Sequence, residues 1–259
     1  MALMDRSATW PWQGDKPVHI PRPDIVPAGF LLPGDPARVD MAAAVLEDFV
    51  IVGQNREFRM GIGRHRGMTI GVCSTGIGGA STEIVGVELA ALGVRAFIRT
   101  GGMGAMAADL ELGDFVIAEA AIANSGCARP YAPGNANVAA DADIVRYLDE
   151  AREARGLRGR RGITATADGY YRAQGRPDHR DGNATPAILD GFAARGADGM
   201  EMEAEIVLAI GAALGVKAGA VMAVHAHRSK DSWMEDYDET QRNVVRIGAD
   251  ALVRALGQD

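Results

Sequence analysis

Lysine is nearly missing from this chain of 259 residues. Only Lys16, Lys217 and Lys230 occur, so almost all of the 27 basic residues are arginine. Any anion site must therefore be built from guanidinium groups, which bind oxyanions in a bidentate way. Cysteine is equally sparse, with Cys73 and Cys127 alone. Two thiols make neither a disulfide framework nor a zinc cluster, which fits a reducing compartment. There is no long apolar run either: the stretch 206–216 falls well short of the ~20 residues that span a bilayer. The opening MALMDRSATW has no apolar core of a signal sequence, so the expectation is a cytoplasmic protein. Finally, there is no basic excess. A net charge of −7 argues against nucleic-acid or anionic-membrane partners, both of which require basic patches, and points to a small-molecule partner.

What is present is an ordinary globular composition, 47% apolar and 24% charged, with enough apolar material for a substantial core. Residues 1–22, with prolines at 11, 17 and 21, another just beyond at 23, and tryptophans at 10 and 12, lack periodicity and read as an extended N-terminal arm. From 23 to 259 the pattern is regular. Strands are predicted over 29–32, 69–73, 95–100, 114–122, 162–166 and 218–224. Helices are predicted over 37–47, 81–92, 140–155, 203–214 and 240–256, the second with Ser81 as N-cap and Gly93 as its stop. Alternating strands and helices with no break in composition predict one α/β domain around a buried sheet. In such sheets ligands gather beyond the carboxyl ends of the strands, so the segments just after each strand matter most.

Those segments are rich in glycine and arginine. Leu31–Val39 reads LLPGDPARV: a glycine turn, then Arg38 one helical turn on, which is either an anion pocket or a plain Pro-Gly turn. CSTGIGGAS at 73–81 matches neither the dinucleotide fingerprint nor a P-loop. FIRTGGMGA at 97–105 puts Arg99 at the end of an apolar strand, where burial requires an anion or a structural carboxylate as partner. YYRAQGRPD at 170–178 supplies Gln174 and Arg176, an amide that donates and accepts beside a pure donor. That pair matches the edge of uracil, though such side chains in a polar loop can equally face water. GMEMEAE at 199–205 places Glu201, Glu203 and Glu205 at a helix mouth, either to clamp a ribose diol or to satisfy the helix dipole. His225 and His227 form a His-x-His pair that could hold a metal, but no further ligands stand at a recognisable spacing.

In their order along the chain, PGDPARV, NREF at 55–58, VCSTGIGGAS, FIRTGGMGA, the Gln-x-Arg of YYRAQGRPD and Glu201-Met202-Glu203 resemble the nucleoside phosphorylase-I family, and within it the uridine phosphorylase branch. The resemblance runs from about His19 to Asp231. It implies a single three-layer α/β/α domain with a mixed, partly barrel-closed central sheet, and an enzyme that cleaves a pyrimidine nucleoside with inorganic phosphate as co-substrate. By the same resemblance, phosphate falls to Gly34, Arg38 and Arg99, with Arg56 reaching in from a neighbouring subunit. Gly102 stands where the family has a threonine touching phosphate and ribose. Ribose falls to Met202 and Glu203, with His19 from the neighbour. The base falls to Tyr170, Gln174 and Arg176, with Glu201 and Arg228 lining or bracing the pocket. The resemblance also implies a homodimeric unit, assembled as a hexamer of three dimers, with potassium at Glu57, Ile77 and Ser81 between two subunits, and no other cofactor. Two alternatives remain: a purine nucleoside phosphorylase, in which a histidine replaces the aspartate that commonly protonates the base, and a non-catalytic nucleoside-binding protein.

Overall fold

A computed structural model describes residues 17–177, 180 and 182–257. Most of the expected arm, Trp10 and Trp12 included, lies outside them. Among the described residues, eleven strands form one mixed sheet: β1 (Gly29–Leu32), β2 (Glu47–Asn55), β3 (Phe58–His65), β4 (Met68–Cys73), β5 (Ala96–Ala105), β6 (Phe115–Ile122), β7 (Val138–Ala139), β8 (Gly159–Thr166), β9 (Gly199–Glu201), β10 (Lys217–His227) and β11 (Ser232–Trp233). Six helices accompany them among the described residues: α1 (Pro36–Met41), α2 (Gly79–Ala91), α3 (Ala142–Glu153), α4 (Ala187–Ala194), α5 (Ala204–Leu214) and α6 (Asp238–Leu256).

The path runs β11-β10-β6-β8-β9-β5-β1-β4-β3-β2, and β10 also pairs with β5. That extra pairing closes β10, β6, β8, β9 and β5 into a five-stranded barrel, while β1, β4, β3 and β2 extend outward as an open wing. β1 is parallel to β4 and β5, and β5 to β10, whereas β6 and β9 run antiparallel to their β10 and β5 neighbours. The expected three layers follow from alternation along the strands. Leu31, Ile98 and Val221 face one core with Ile144, Leu148, Ile247 and Leu252 of α3 and α6. Phe30, Leu32 and Phe97 face the other, with Val85 and Leu89 of α2 and Ile206 and Ile210 of α5. The set Met103, Val116, Ala118, Ala220, Met222 and Val224 alternates along β5, β6 and β10 and packs together as a third cluster filling the barrel.

Several predicted boundaries are corrected. The helix expected over 37–47 is only Pro36–Met41, N-capped by Asp35, whose carboxylate accepts from Ala37 N at 2.9 Å; after a 3-10 turn the chain enters β2 at Glu47. The hairpin of β2 and β3 escaped the sequence reading because β2 is largely exposed and shows no clean alternation. Its turn holds Arg56 at φ 53°. β5 does not stop at Thr100 but carries Gly101, Gly102 and Gly104 as strand residues. The N-cap of α2 is Gly78 rather than Ser81; at φ 90° and ψ 175° this position favours glycine. Gly93, at φ 87°, does stand just past that helix. β9 was hidden in a segment read as a helix mouth, since three residues carry no detectable period.

Within the span assigned to the arm, residues 17–22 are docked on the domain. Ile20 is buried in the α2–α5 core. The Glu88 carboxylate on α2 accepts from Ile20 N at 2.9 Å and His19 N at 3.2 Å, and pairs with His19 Nδ1 at 2.7 Å.

Candidate active site

The loops beyond the carboxyl ends of β1, β4, β5 and β10 surround one open cavity of about 1040 Å³. The turn after β1 contributes Gly34 and Arg38, β5 contributes Arg99 and Gly102, and the start of α5 contributes Met202 and Glu203. At the other end lie Tyr170, Gln174 and Arg176. Of the residues expected at the site, all line this cavity except His19, Arg56 and Arg228.

Arg99 and the carboxylates form the buried floor. Arg99 Nε donates to Glu201 Oε2 at 3.1 Å and its Nη2 pairs with Glu203. Burial alone would lower the Arg99 pKa, but Glu203 and Glu201 together hold it above the ordinary arginine value. Glu203 is pushed up, chiefly by burial and against the pull of Arg99, because one guanidinium serves two carboxylates. The structural partner considered for Arg99 is thus real, yet it consumes only part of the group: Nη1 is buried with no partner. Glu201 is saturated by Arg99, the Thr166 hydroxyl, Glu203 N at 2.7 Å and Ala204 N at 2.8 Å, so it braces the floor. Glu203 also accepts from Gly78 N at 2.6 Å. Glu205, third of the acidic run, turns away to Asn124 N and Ser125 N.

Arg38 stands over the same floor, with its Nε buried and unpartnered and its guanidinium 5.8 Å from the Tyr237 ring centre. Burial, then repulsion from Arg99, lowers its pKa. The turn after β1 is not a free anion cradle, since Asp35 already occupies the start of the six-residue α1. The two arginines therefore carry whatever anion affinity this end has.

At the far end, Gln174 is buried, against the alternative that it faces water. Arg228 fixes it, Nη2 donating to Gln174 O at 2.9 Å and Nη1 to Gln174 Oε1 at 3.3 Å. Arg176 lies 4.1 Å over the Tyr170 ring and 5.4 Å over that of Trp233, and its Nε donates to Tyr170 O at 3.0 Å. A stacked guanidinium is held in plane with donors directed along its edge.

His19 and Arg56 do not line their own chain's cavity. Glu57, Ile77 and Ser81 lie at its rim, where Glu57 and Ser81 flank Gly76 closely enough to crowd any Cβ there. Among the described residues no three His, Cys, Asp or Glu side chains cluster as a metal site. The His-x-His pair divides: a register shift separates Val224 from Ala226 in the β10–β5 pairing, His225 meets Gln241 and Tyr237, and His227 meets Ala107 O and Ser229. Both cysteines are free.

Sequence reasoning missed three cavity neighbours, namely His225 as a lining residue, Trp233 and Tyr237. Trp233 reaches the site because the two-residue β11 folds back on β10, and Tyr237 because it precedes α6. No period or motif marks either position.

The mixed, barrel-closed sheet that carries this cavity is the nucleoside phosphorylase fold, and similarity to known proteins leads to the same class. The phosphorylase superfamily model matches residues 30–256, and the chain belongs to that superfamily. Among its relatives, a uridine phosphorylase of Thermococcus kodakarensis is 37% identical over 80% of this chain and 76% of its own. A uridine phosphorylase of Escherichia coli is 33% identical over 87% of this chain and 91% of its own. A guanosine phosphorylase of Halorubrum lacusprofundi is 32% identical over 83% of this chain and 88% of its own.

Proposed function

We propose that the protein is a pentosyltransferase that cleaves a pyrimidine nucleoside, uridine or a close analogue, with inorganic phosphate, giving free base and (deoxy)ribose 1-phosphate. The observation that carries this reading is the polarity of the cavity. Unpartnered donors on Arg38 and Arg99 stand at one end, and a pinned Gln174 with Arg176 stands at the other. Phosphate held by the two arginines is positioned to attack C1′ of the sugar, a placement that converts a bimolecular step into a local one. Glu203 and Met202 lie between and would grip the ribose hydroxyls. As the C1′–N bond breaks, its electron pair passes to the base, and Gln174 and Arg176 stabilise the charge on the uracil oxygens. No covalent protein nucleophile is needed.

The site also gives a reason for assembly. Within one chain Arg38 and Arg99 are balanced by Glu201 and Glu203, leaving no surplus charge for a phosphate dianion. Arg56, exposed on the β2–β3 turn, would supply it to a neighbour's cavity, and His19 would join the neighbour's ribose end. The working unit is then a homodimer, three of which form a hexamer. Glu57, the Ile77 carbonyl and the Ser81 hydroxyl offer oxygen donors of the kind a hard cation takes; three from one chain are too few, so potassium would bind where two copies meet. The arm over 1–22 and the catalytic domain over 23–259 divide the chain, and the enzyme works in cytoplasmic pyrimidine salvage.

The guanosine phosphorylase relative favours purine cleavage as the second reading. It requires a proton donor to the purine ring, and burial lowers the His225 pKa to about 4, so that histidine is neutral near pH 7. Assay of uridine, thymidine, inosine and adenosine, each with and without phosphate, tests the proposal: phosphate-dependent release of uracil or thymine is expected. Faster cleavage of inosine, or release that ignores phosphate, would overturn it.

A further inference from the structure

Gly102 lines the cavity beside Arg99, yet its backbone is not in the left-handed region that calls for glycine. What excludes a side chain is space. A Cβ built there would lie 2.3 Å from His225 Nδ1 and 2.7 Å from its Cε1. The imidazole of His225 thus fills the volume that a small side chain at position 102 would take. Its ring is clamped: it stacks on Tyr237 at 4.8 Å and 25°, and its Nε2 lies 2.7 Å from Gln241 Nε2.

That clamp determines which ring nitrogen carries the proton. The Gln241 amide nitrogen also lies 3.4 Å from Gly101 O. Turning the amide round would set its oxygen against that carbonyl, so nitrogen faces both groups and donates to both. Nε2 of His225 must then accept, and the hydrogen sits on Nδ1. Burial first, and the nearby Arg38 second, keep the ring uncharged. Nδ1–H makes no hydrogen bond among the described residues, and it projects over Gly102 at the end of the cavity that holds Arg38 and Arg99.

We propose that His225, locked as the Nδ1–H tautomer by Gln241 and admitted by Gly102, is a neutral hydrogen-bond donor to the bound phosphate. The inference rests on the phosphorolysis reading and adds a third donor to the two arginines. A neutral donor suits this position, because the ring is packed against Tyr237 and Gln241, where a charge would be costly to desolvate. Gln241 is the positioning residue, since it never touches phosphate but sets the direction of the donor.

The test separates the two substrates. His225→Ala is expected to raise KM for inorganic phosphate about tenfold or more, the loss of one hydrogen bond to a charged group, while KM for uridine stays within about threefold. His225→Asn, whose amide nitrogen can occupy the place of Nδ1, should restore phosphate binding, as should Gly102→Ser in the His225→Ala background, where a hydroxyl enters the vacated volume. A rise in uridine KM equal to or larger than that for phosphate, or no change in phosphate KM, overturns the proposal. Nitrogen-15 NMR of the wild-type imidazole decides the matter even if a variant fails to fold. An Nδ1–H signal that moves when inorganic phosphate is added is expected, and an Nε2–H tautomer or an unmoved signal refutes it. Wild-type cleavage that needs no phosphate would sink the phosphorolysis reading itself, whereas phosphate-dependent cleavage indifferent to His225 would sink this inference alone.

Discussion

Replacing Arg99 by methionine keeps the apolar stem but leaves Glu201 and Glu203 facing each other without their shared cation. Both carboxylates are buried, and Glu201 is held by two backbone N–H groups that prevent it from swinging out. Breaking a buried pair in this way costs about 3–5 kcal/mol. For a domain of this size that lowers the thermal midpoint by roughly 6–20 °C. A second loss falls on catalysis, because Arg99 Nη1 is a buried donor at the anion end, and removing such a donor lowers turnover by about 10²–10³. The two losses are separable. Adding Glu203→Gln to Arg99→Met removes one of the stranded charges, so calorimetry should show a partial recovery of the midpoint while a uracil-release assay shows none. If Arg99→Met unfolds at the wild-type temperature, the floor is not the charged network described. If it also keeps its turnover, Arg99 has no part in the reaction.

Gln174→Ala should reduce kcat/KM for uridine by about 10²-fold or more while changing residual inosine cleavage much less, since a pocket built to hydrogen-bond one base edge loses its discrimination with that contact; equal losses on both substrates would refute the assignment. Mixing Arg56→Ala with Arg99→Ala protein, both inactive, should restore activity once subunits exchange, because some pockets then receive both arginines; confirmed exchange with no activity would show that the site is not shared. For His225, the folded pKa of about 4 lies below the ordinary value of 6.5, so between those two values the unfolded chain takes up a proton that the folded chain refuses. Stability should therefore fall as acid is added, by about 2 kcal/mol between roughly pH 7.5 and pH 5. Denaturant titrations at the two pH values should show a smaller fall in His225→Asn, and an identical fall would place the ring outside the buried cluster of Arg38, Tyr237 and Gln241.

The α/β alternation, the strands at 29–32 and 69–73 and the helix at 204–214 were legible in the sequence because each is buried and compact, so apolar residues mark it. The β2–β3 hairpin was not, since β2 begins and ends on exposed polar residues such as Glu47, Asp48, Gln54 and Asn55 and buries only Phe49 and Val52, in part, against the cores. The cavity residues on turns could be named from their glycines and arginines. Their partners could not: Arg99 meets Glu201 across 102 positions of sequence, and no local pattern records such a meeting. Gly102 illustrates the same limit. As a letter it suggests a missing contact, and only the packing shows that His225 stands in the space.

β9 has three residues, and it is the piece that joins β8 to β5. It supplies two of the barrel's five seams and also places Glu201 against Arg99. A chain folded only through β8 would already hold Arg38, Arg99 and every glycine turn of the anion end, yet none of the carboxylates that orient them. The donors of the anion end and the carboxylates that orient them thus meet across one short seam, and losing the pairing of β9 would leave Arg99 on its strand without its partners.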